Sequence, residues 1–398
     1  MNYFASIDQG TTSTRFIVFN DIGEIVTMHQ EEFPQYFPDE NSVEHNPIEI
    51  WDSVVNCITK VSETFNIADL TSIGITNQRE TTLAWSRSTG EPFHNALVWQ
   101  DTRTQDICDE LKNIDSLADE FNKTGLPIAT YFSLSKIIWL IRNVDSVKNA
   151  INTDDLCFGT IDSWLLYKLT GKHVTDVTNA SRTLLLNLET LQWSDSILDT
   201  LKIPHSSLPS VLPSMTHFGS NKQLLHNVPI TAVLGDQQAS LFGQNCITEG
   251  EVKNTYGTGC FALTNTGEHI IYSKNGLLTT VAYQVEGEKP KYALEGSVSV
   301  AGAAVQWLRD NLNIITESSE IESLALSVKD NGDVYFVPAF SGLFSPHWDE
   351  SARGVLVGIT RYTNKSHIAR AVLESVAYQS YELIESIEKD MDTTINRI

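Results

Sequence analysis

A short polar loop between two apolar runs occurs twice in this chain, and this repeated element limits the choice of fold most strongly. Near the N-terminus, Asp8–Arg15 lies between the strand-like runs 3–7 and 16–19. In the second half, Tyr256–Phe261 has the same form around a Gly-Thr-Gly turn. Glycine lets backbone N–H groups approach phosphate oxygens, and hydroxyl and guanidinium groups add donors. A polar hairpin turn explains one loop, but two such loops in two α/β domains suggest a nucleotide held in a cleft between the domains.

Length and composition indicate two domains. A chain of 398 residues is too long for one ordinary domain, and its hydrophobic fraction of 41% is typical of a globular protein. The composition changes near Gly250. We therefore predict an N-terminal domain over residues 1–247 and a C-terminal domain over residues 248–398.

Charge and cysteine usage narrow the function classes. The formal net charge of −23 argues against nucleic acid or an anionic membrane as a partner. The five cysteines are widely spaced and form no CxxC pair, so neither a disulfide framework nor a zinc site is indicated. The sequence has no apolar run of roughly 18 residues, and its first residues lack the basic region and long apolar run of a signal peptide, so neither a membrane span nor a signal peptide is expected. The cytoplasm is the expected compartment.

Hydrophobic periodicity in the first part of the chain predicts a β-meander followed by a helix. The runs 3–7, 16–19 and 24–33 are β-like and are separated by turn residues. Asn46-Pro47 then precedes apolar residues at helical spacing, which predicts a helix with proline at its first position. The first loop therefore joins two neighbouring strands.

Further along the chain, residues 228–234 read as a strand that runs directly into Gly235-Asp236, where a helix follows. Residues 203–227 contain three prolines and little periodicity, so we expect irregular structure there. Residues 366–389 predict a long amphipathic helix. The motifs of P-loop enzymes, protein kinases and dinucleotide-binding dehydrogenases do not occur.

Several motifs connect these predicted elements to one family. They are Asp8–Ser13, Asn77–Thr82, Gly235–Ala239, Asn254–Phe261, Tyr131–Leu140, and Pro346–Gly354 together with Glu374–Ala377. These segments resemble the FGGY family of carbohydrate kinases, most closely its glycerol kinase branch. The resemblance implies an α/β fold of two actin- and hexokinase-like (ribonuclease H-like) domains around a nucleotide cleft. It also implies ATP-dependent phosphorylation of glycerol to sn-glycerol 3-phosphate.

The resemblance assigns the catalytic base to Asp236, at a strand-to-helix turn where a carboxylate can project into a cleft. A helix N-cap is the structural alternative for this aspartate. The substrate contacts that the resemblance implies are Asp236 itself, Arg79, Glu80, Tyr131, Gln237, Trp99 and Phe261. An adjacent donor and acceptor can bracket two neighbouring hydroxyls, although an exposed surface pair is the commoner fate of Arg-Glu. Aromatic residues of this kind are also often part of a core.

The resemblance assigns nucleotide binding to residues of both domains. They are Thr11, Thr12, Ser13, Arg15, Thr258, Gly259, Gly302 and Gln306. Asp8 is expected to orient Mg²⁺ through water, together with the nucleotide phosphates, so ATP and Mg²⁺ are the implied cofactors. The magnesium ion would supply much of the charge neutralisation that a chain of net charge −23 needs to hold ATP.

The end of the chain departs from the family pattern. It stops at Asn396-Arg397-Ile398, where the resemblance implies a further segment that cradles the adenosine. We therefore expect the second domain to be incomplete, because the chain is a fragment or truncated product or because a partner supplies the rest. Two alternatives stay open, a related polyol or ketose kinase and a catalytically silent truncated relative that binds glycerol. Glycerol and MgATP are the expected partners, with a homo-oligomer expected for the full-length protein and neither nucleic acid nor a transmembrane segment expected.

Overall fold

The first polar loop is the tip of a β-meander, as predicted. The structure is a computed structural model, and it describes residues 2–340, 342–349, 351–395 and 397–398. The strands on either side of the tip are antiparallel, and the Gly10 N–H donates to the Ser13 carbonyl at 2.9 Å to close the turn. Glu350, which belongs to one of the family-like motifs, and Asn396 near the chain end lie outside the described residues.

The described chain alternates between strands and helices throughout its length. The strands are β1 (Tyr3–Gln9), β2 (Ser13–Asn20), β3 (Ile25–Glu32), β4 (Glu44–His45), β5 (Leu70–Asn77), β6 (Thr82–Ser86), β7 (Ala96–Leu97), β8 (Leu156–Thr160), β9 (Val174–Asp176), β10 (Leu186–Asn187), β11 (Gln192–Trp193), β12 (Ser210–Leu212), β13 (Met215–Ser220), β14 (Pro229–Gly235), β15 (Val252–Tyr256), β16 (Cys260–Gly267), β17 (Leu278–Tyr283), β18 (Lys291–Val298), β19 (Tyr335–Val337) and β20 (Val355–Val357). The helices are α1 (Pro47–Ser62), α2 (Gln105–Lys112), α3 (Ala118–Asn122), α4 (Ser133–Asn143), α5 (Asp145–Ala150), α6 (Ile161–Thr170), α7 (Val177–Ala180), α8 (Asp195–Leu201), α9 (Lys222–Leu225), α10 (Asp236–Gly243), α11 (Gly302–Asp310), α12 (Glu320–Leu326) and α13 (Lys365–Met391).

Two compact units divide the chain. The first contains Met1–Ala239 and Thr280–Tyr292, and the second contains Ser240–Thr279 and Ala293–Ile398. The domain boundary between residues 247 and 248 stays a prediction from the sequence. None of the helices in the described part of the chain combines the length and apolar character needed to cross a membrane.

The first unit is built on a mixed sheet with the strand order β13-β14-β5-β1-β2-β3. Strands β1, β5 and β14 are parallel, and their register aligns Gln9 with Asn77 and Asn77 with Gly235. The carboxyl ends of these three strands therefore meet at one edge of the sheet. The segments that leave this edge carry Asp8–Ser13, Gln78–Thr82 and Asp236–Ala239.

Helices α1 and α6 contribute to the core of the first unit. Ile50 of α1 and Trp164 of α6 lie in one buried cluster with Ile7 and Val233 of the sheet. Helix α1 begins where the sequence predicts, because Pro47 is its first residue and the Asn46 side chain accepts from the N–H of the second helical residue at 2.9 Å. The core therefore fixes the sheet whose edge carries the polar segments.

The second unit has its own buried clusters. Its main strands follow the order β15-β16-β18, and helix α13 contributes Leu383 and Ile387 to a core with Val298. Gly296 makes room for this packing, because a Cβ atom there would lie 2.7 Å from Leu383 Cδ2. The predicted helix over residues 366–389 is confirmed, with ends that differ by at most two residues.

The expectation of irregular structure over residues 203–227 is wrong. This segment contains β12, β13 and α9, and β13 pairs antiparallel with β14 at the edge of the main sheet. The pairing shifts register between Met215 and Gly219, and Phe218 is buried. An irregular register interrupts the alternation of inward and outward residues, so the strand leaves little periodic pattern in the sequence.

Candidate active site

Asp236 lies where the parallel strand β14 ends and helix α10 begins. Its side chain is 39% exposed, while the neighbouring Arg79 side chain is 2% exposed. Arg79 Nε lies 3.4 Å from Asp236 Oδ1, and the Gln237 N–H donates to the same oxygen at 2.8 Å. A helix N-cap accepts from N–H groups two or three residues further on, whereas this bond reaches the next residue. The geometry leaves the carboxylate both held and accessible.

Arg79 occupies the space beside Gly235. A Cβ atom at Gly235 would lie 2.7 Å from Arg79 Cδ and 2.9 Å from Gln238 Oε1. The same Gln238 oxygen accepts a hydrogen bond from Arg79 Nη1 at 3.1 Å. The absence of a side chain at Gly235 therefore lets the guanidinium reach the end of β14. Because Arg79 and Glu80 are both buried, the alternative of an exposed surface pair is wrong.

Glu80 is directed between two arginines by an unusual backbone conformation. Its φ is +59°, in the left-handed region that non-glycine residues seldom adopt. Its carbonyl accepts from Thr82 Oγ1 at 2.7 Å and from Ser133 Oγ at 3.0 Å. Its carboxylate Oε1 accepts from Arg182 Nε at 2.6 Å and lies 3.8 Å from Arg79 Nε. Arg182 is therefore a close ionic partner of Glu80.

Sequence reasoning missed Arg182. The available signal was a single charge within the otherwise uncharged segment 177–188, which has no clear helical or strand periodicity. Its partner Glu80 lies 102 residues away in the sequence. Only the fold brings the two side chains together.

An aromatic pair lies next to the first polar loop. The rings of Trp99 and Tyr131 are 5.7 Å apart at 80°, and the Trp99 indole N–H donates to Thr11 Oγ1 at 3.0 Å. Lys136 Nζ donates to the carbonyls of Thr130 and Tyr131 from a fully buried position, where burial lowers the pKa of this lysine to about 8. A hydrogen bond therefore links Trp99 to the predicted phosphate loop, and the bonds from Lys136 fix the backbone at Tyr131.

The loop itself is held by hydrogen bonds to its carbonyl groups. Gln78 Nε2 donates to the Gly10 carbonyl at 3.1 Å, and Gln35 Nε2 donates to the Thr11 carbonyl at 3.0 Å. The Phe33 N–H donates to the Thr12 carbonyl at 3.4 Å. The acceptor groups of the loop thus face the protein.

Asp8 and Arg15 form an ion pair at the base of this loop. Arg15 Nη1 lies 3.2 Å from Asp8 Oδ2, and Arg15 Nε donates to Gln30 Oε1 at 2.9 Å. Burial raises the pKa of Asp8 most strongly; Arg15 opposes this effect and the nearby Asp236 carboxylate adds to it. Two mutually repelling carboxylates suit Mg²⁺, which usually binds through one or two carboxylates together with phosphate oxygens. The residues present therefore fit the implied ion.

The second polar loop, between β15 and β16, makes close backbone contacts within the second unit. A Cβ atom at Gly259 would lie 2.3 Å from the Val298 carbonyl oxygen, and one at Gly302 would lie 2.6 Å from the Gly257 carbonyl oxygen. The Gly302 N–H donates to that same Gly257 oxygen at 2.9 Å. The loop and the start of helix α11 thus approach each other as only glycines allow.

The other predicted residues of the second unit lie on or near its surface. Thr258 and Gln306 are exposed, and Phe261 is half-buried on β16 with its carbonyl accepting from Lys253 Nζ at 3.2 Å. The structure therefore brings together two sets of predicted residues, one in each unit. The sharing of one nucleotide by the two sets stays a prediction.

Two α/β units, each with a polar loop that contains glycine, and an accessible carboxylate beside a buried arginine are typical of a phosphotransferase that acts on small molecules. The N-terminal domain of the FGGY family of carbohydrate kinases matches residues 3–243, and the C-terminal domain of that family matches residues 252–398. The chain belongs to the FGGY family of carbohydrate kinases.

Individual relatives agree with this assignment. The chain is 53% identical to a glycerol kinase of Brucella anthropi, covering 100% of this chain and 81% of that protein. It is 52% identical to a glycerol kinase of Pseudarthrobacter chlorophenolicus, covering 100% of this chain and 80% of that protein. The crystal structure of Plasmodium falciparum glycerol kinase with ADP has a TM-score of 0.91 at 40% identity, covering 99% of this chain and 80% of that one. A xylulose kinase from Lactobacillus acidophilus, at 24% identity and a TM-score of 0.86 over 97% of this chain and 78% of that one, shares the fold.

These comparisons confirm the two-domain α/β fold and correct one expectation. The expectation that the second domain is incomplete for lack of a C-terminal segment is not borne out, because the C-terminal family domain matches residues 252–398. In the structure, residues of strands β16 and β18 and of helix α13 form a buried cluster around Leu383.

Proposed function

We propose that the chain is an ATP-dependent glycerol kinase, which converts glycerol and ATP into sn-glycerol 3-phosphate and ADP. The observation that carries the proposal is the accessible Asp236 carboxylate, 3.4 Å from the buried Arg79 at the carboxyl edge of parallel strands. The chain is 53% and 52% identical to two proteins named glycerol kinase, which supports glycerol as the substrate.

In the proposed reaction, Asp236 accepts the proton of the glycerol hydroxyl whose oxygen attacks the γ-phosphorus. The bond between the γ-phosphorus and its bridging oxygen breaks, and ADP leaves with the electron pair. The Arg79 guanidinium donates to the remaining hydroxyls and the Glu80 carboxylate accepts from them. The other proposed substrate contacts, which pack on the carbon chain or bind hydroxyls, are Trp99, Tyr131, Gln237 and Phe261.

ATP would be held by groups from both polar loops. The proposed nucleotide contacts are Thr11, Thr12, Ser13, Arg15, Thr258, Gly259, Gly302 and Gln306. Asp8 would orient Mg²⁺ through water, and the bound ion would neutralise charge on the phosphates. The repulsion between the Asp8 and Asp236 carboxylates supports a cation at this place.

The test is the Asp236→Asn variant, which keeps the shape of the side chain and removes its basicity. We expect glycerol-dependent ADP formation in the unaltered chain and a fall in kcat of about 100- to 10,000-fold in the variant, with glycerol binding retained. Glycerol binding without turnover at saturating MgATP in the unaltered chain would instead favour a catalytically silent relative. Turnover of a ketose or another polyol in preference to glycerol would favour a related kinase.

The cytoplasm is part of the proposal. All five cysteines are buried free thiols, which suits a reducing compartment. Homo-oligomerisation of the full-length protein stays a prediction, which light scattering on the purified protein tests.

A further inference from the structure

Arg182 is a fully buried arginine to which the proposed mechanism gives no role. Its Nε donates to Glu80 Oε1 at 2.6 Å, whereas Arg79 Nε lies 3.8 Å from the same oxygen. Arg79 also lies 3.4 Å from Asp236 Oδ1, so its charge is shared between two carboxylates. A buried carboxylate is costly unless a counter-charge and hydrogen bonds compensate for the lost water. Arg182 compensates Glu80 in this way at close range.

The same guanidinium also contacts the aromatic residues of the site. Arg182 Cζ lies 5.8 Å from the ring centroid of Tyr131 and 5.5 Å from that of Phe132. These separations are within the range of cation–π attraction. Tyr131 in turn lies edge-on to Trp99 at 5.7 Å. One side chain therefore contacts both the carboxylate and the ring of two proposed glycerol contacts.

Arg182 is anchored to the frame of the site. The backbone N–H of Arg182 donates to the Asn179 carbonyl at 3.0 Å. The Asn179 side chain exchanges two amide hydrogen bonds with Asn77, at 2.9 and 3.1 Å. Asn77 is the last residue of β5, two residues before Arg79. The backbone at Arg182 is thereby tied to the end of β5, just before Arg79 and Glu80.

We propose that Arg182 is a positioning residue for the glycerol site, which holds the Glu80 carboxylate toward a substrate hydroxyl and supports the ring of Tyr131. This inference rests on the proposed glycerol kinase activity. A planar guanidinium can donate to a carboxylate and lie against a ring at the same time, which a lysine ammonium cannot do as well. The reaction of Asp236 with the attacking hydroxyl does not involve Arg182.

The test measures steady-state kinetics of Arg182→Met and Arg182→Lys with glycerol and MgATP varied separately. We expect the KM for glycerol to rise at least tenfold in Arg182→Met, with the KM for MgATP within twofold of its original value. The KM for glycerol of Arg182→Lys should lie between those of the unaltered chain and Arg182→Met, at least threefold above the former, because the charge is kept and the planar contact is lost. An unchanged KM for glycerol in both variants would overturn the inference, and Arg182→Lys decides the question if Arg182→Met does not fold.

A double-mutant comparison separates positioning from general support of the fold. Glu80→Gln removes the carboxylate that Arg182 pairs with. In this background Arg182→Met should therefore raise the KM for glycerol by less than threefold. An equal rise in both backgrounds would contradict pairing with Glu80 as the cause.

Arg103 offers a matched control in the same unit. Its Nη2 lies 2.8 Å from Glu44 Oε1 and 2.8 Å from Asp101 Oδ2, and its Cζ lies 4.8 Å from the ring centroid of Trp139. Arg103→Met loses comparable ionic and aromatic contacts and should leave the KM for glycerol within twofold. Equal losses in Arg103→Met and Arg182→Met would assign Arg182 a merely structural role. Absence of glycerol phosphorylation by the unaltered chain would instead overturn the proposed function itself.

Discussion

At the scale of single residues, the second polar loop depends on the absence of side-chain atoms. Gly259 and Gly302 lie so close to backbone carbonyls that a Cβ atom would meet oxygen at 2.3 and 2.6 Å respectively. Such contacts are far shorter than a carbon and an oxygen can reach without repulsion. The backbone of this loop is therefore set by close packing within the second unit.

The first prediction concerns Gly259→Ala. The added methyl must displace the Val298 carbonyl or the loop, so we expect a loss of about 1–3 kcal/mol of stability and a raised KM for MgATP. Urea unfolding and steady-state kinetics measure the two effects. Gly257→Ala is the control, because its Cβ would meet the nearest atom, the Gly259 carbonyl oxygen, at 3.9 Å. Similar losses in the two variants would show that the close approach at Gly259 is not the cause.

Local sequence patterns foretold some of the candidate site and missed the rest. The strand-to-helix turn at Asp236 is legible because β14 and α10 are adjacent in the chain. The ion pair of Glu80 with Arg182 joins positions 102 residues apart, and the bond from Trp99 to Thr11 joins positions 88 residues apart. No local pattern encodes such contacts.

At the scale of elements, hydrophobic periodicity predicts some helices and strands correctly and misses others. The meander and helices α1 and α13 follow regular spacing of apolar residues and are where the sequence places them. Strand β13 does not, because its irregular pairing with β14 breaks the alternation. Elements are thus predictable where the spacing of inward and outward residues continues without interruption.

Helix α6 and strand β9 are joined by a buried acid. The Asp162 carboxylate accepts from Thr160 Oγ1 at 2.5 Å and from Thr175 Oγ1 at 2.6 Å. Burial, with the Asp176 carboxylate as the second cause, raises the pKa of Asp162 from its ordinary value of 3.8 to about 7. The Ser163 backbone and the two threonine hydroxyls oppose this rise only in part.

A pH-dependent stability follows from Asp162. Between pH 3.8 and about 7 the folded state holds a proton that the unfolded state has lost, so this contribution to stability is full below pH 3.8 and disappears as the pH rises through 7. Buried His45 and His173, whose pKa values burial lowers to about 4, have the opposite dependence. The comparison of the unaltered chain with Asp162→Asn removes these common terms.

We expect the stability of Asp162→Asn relative to the unaltered chain to increase as the pH rises, by at most about 1.4 kcal/mol per pH unit inside this window. Urea unfolding at pH 5, 6, 7 and 8 measures the difference. A difference that stays constant over this range would contradict a raised pKa at Asp162.

At the scale of the whole molecule, the formal net charge of −23 acts on the approach of substrates. A chain with this excess of negative charge repels an anionic nucleotide at long range and leaves uncharged glycerol unaffected. The positive groups of the candidate site act at short range, and Arg79 and Arg182 are buried. Long-range repulsion and short-range attraction therefore respond differently to salt.

The last prediction uses this difference. Raising the ionic strength from about 0.01 to about 0.1 M shortens the screening length from about 30 to about 10 Å, which removes repulsion across the molecule and leaves close contacts less affected. We expect the KM for MgATP to fall over this range at saturating Mg²⁺, because association of the nucleotide becomes faster. The KM for glycerol should not change, which makes glycerol the internal control. A KM for MgATP that rises with salt would mean that attraction by the local arginines, and not the charge of the whole chain, controls the encounter.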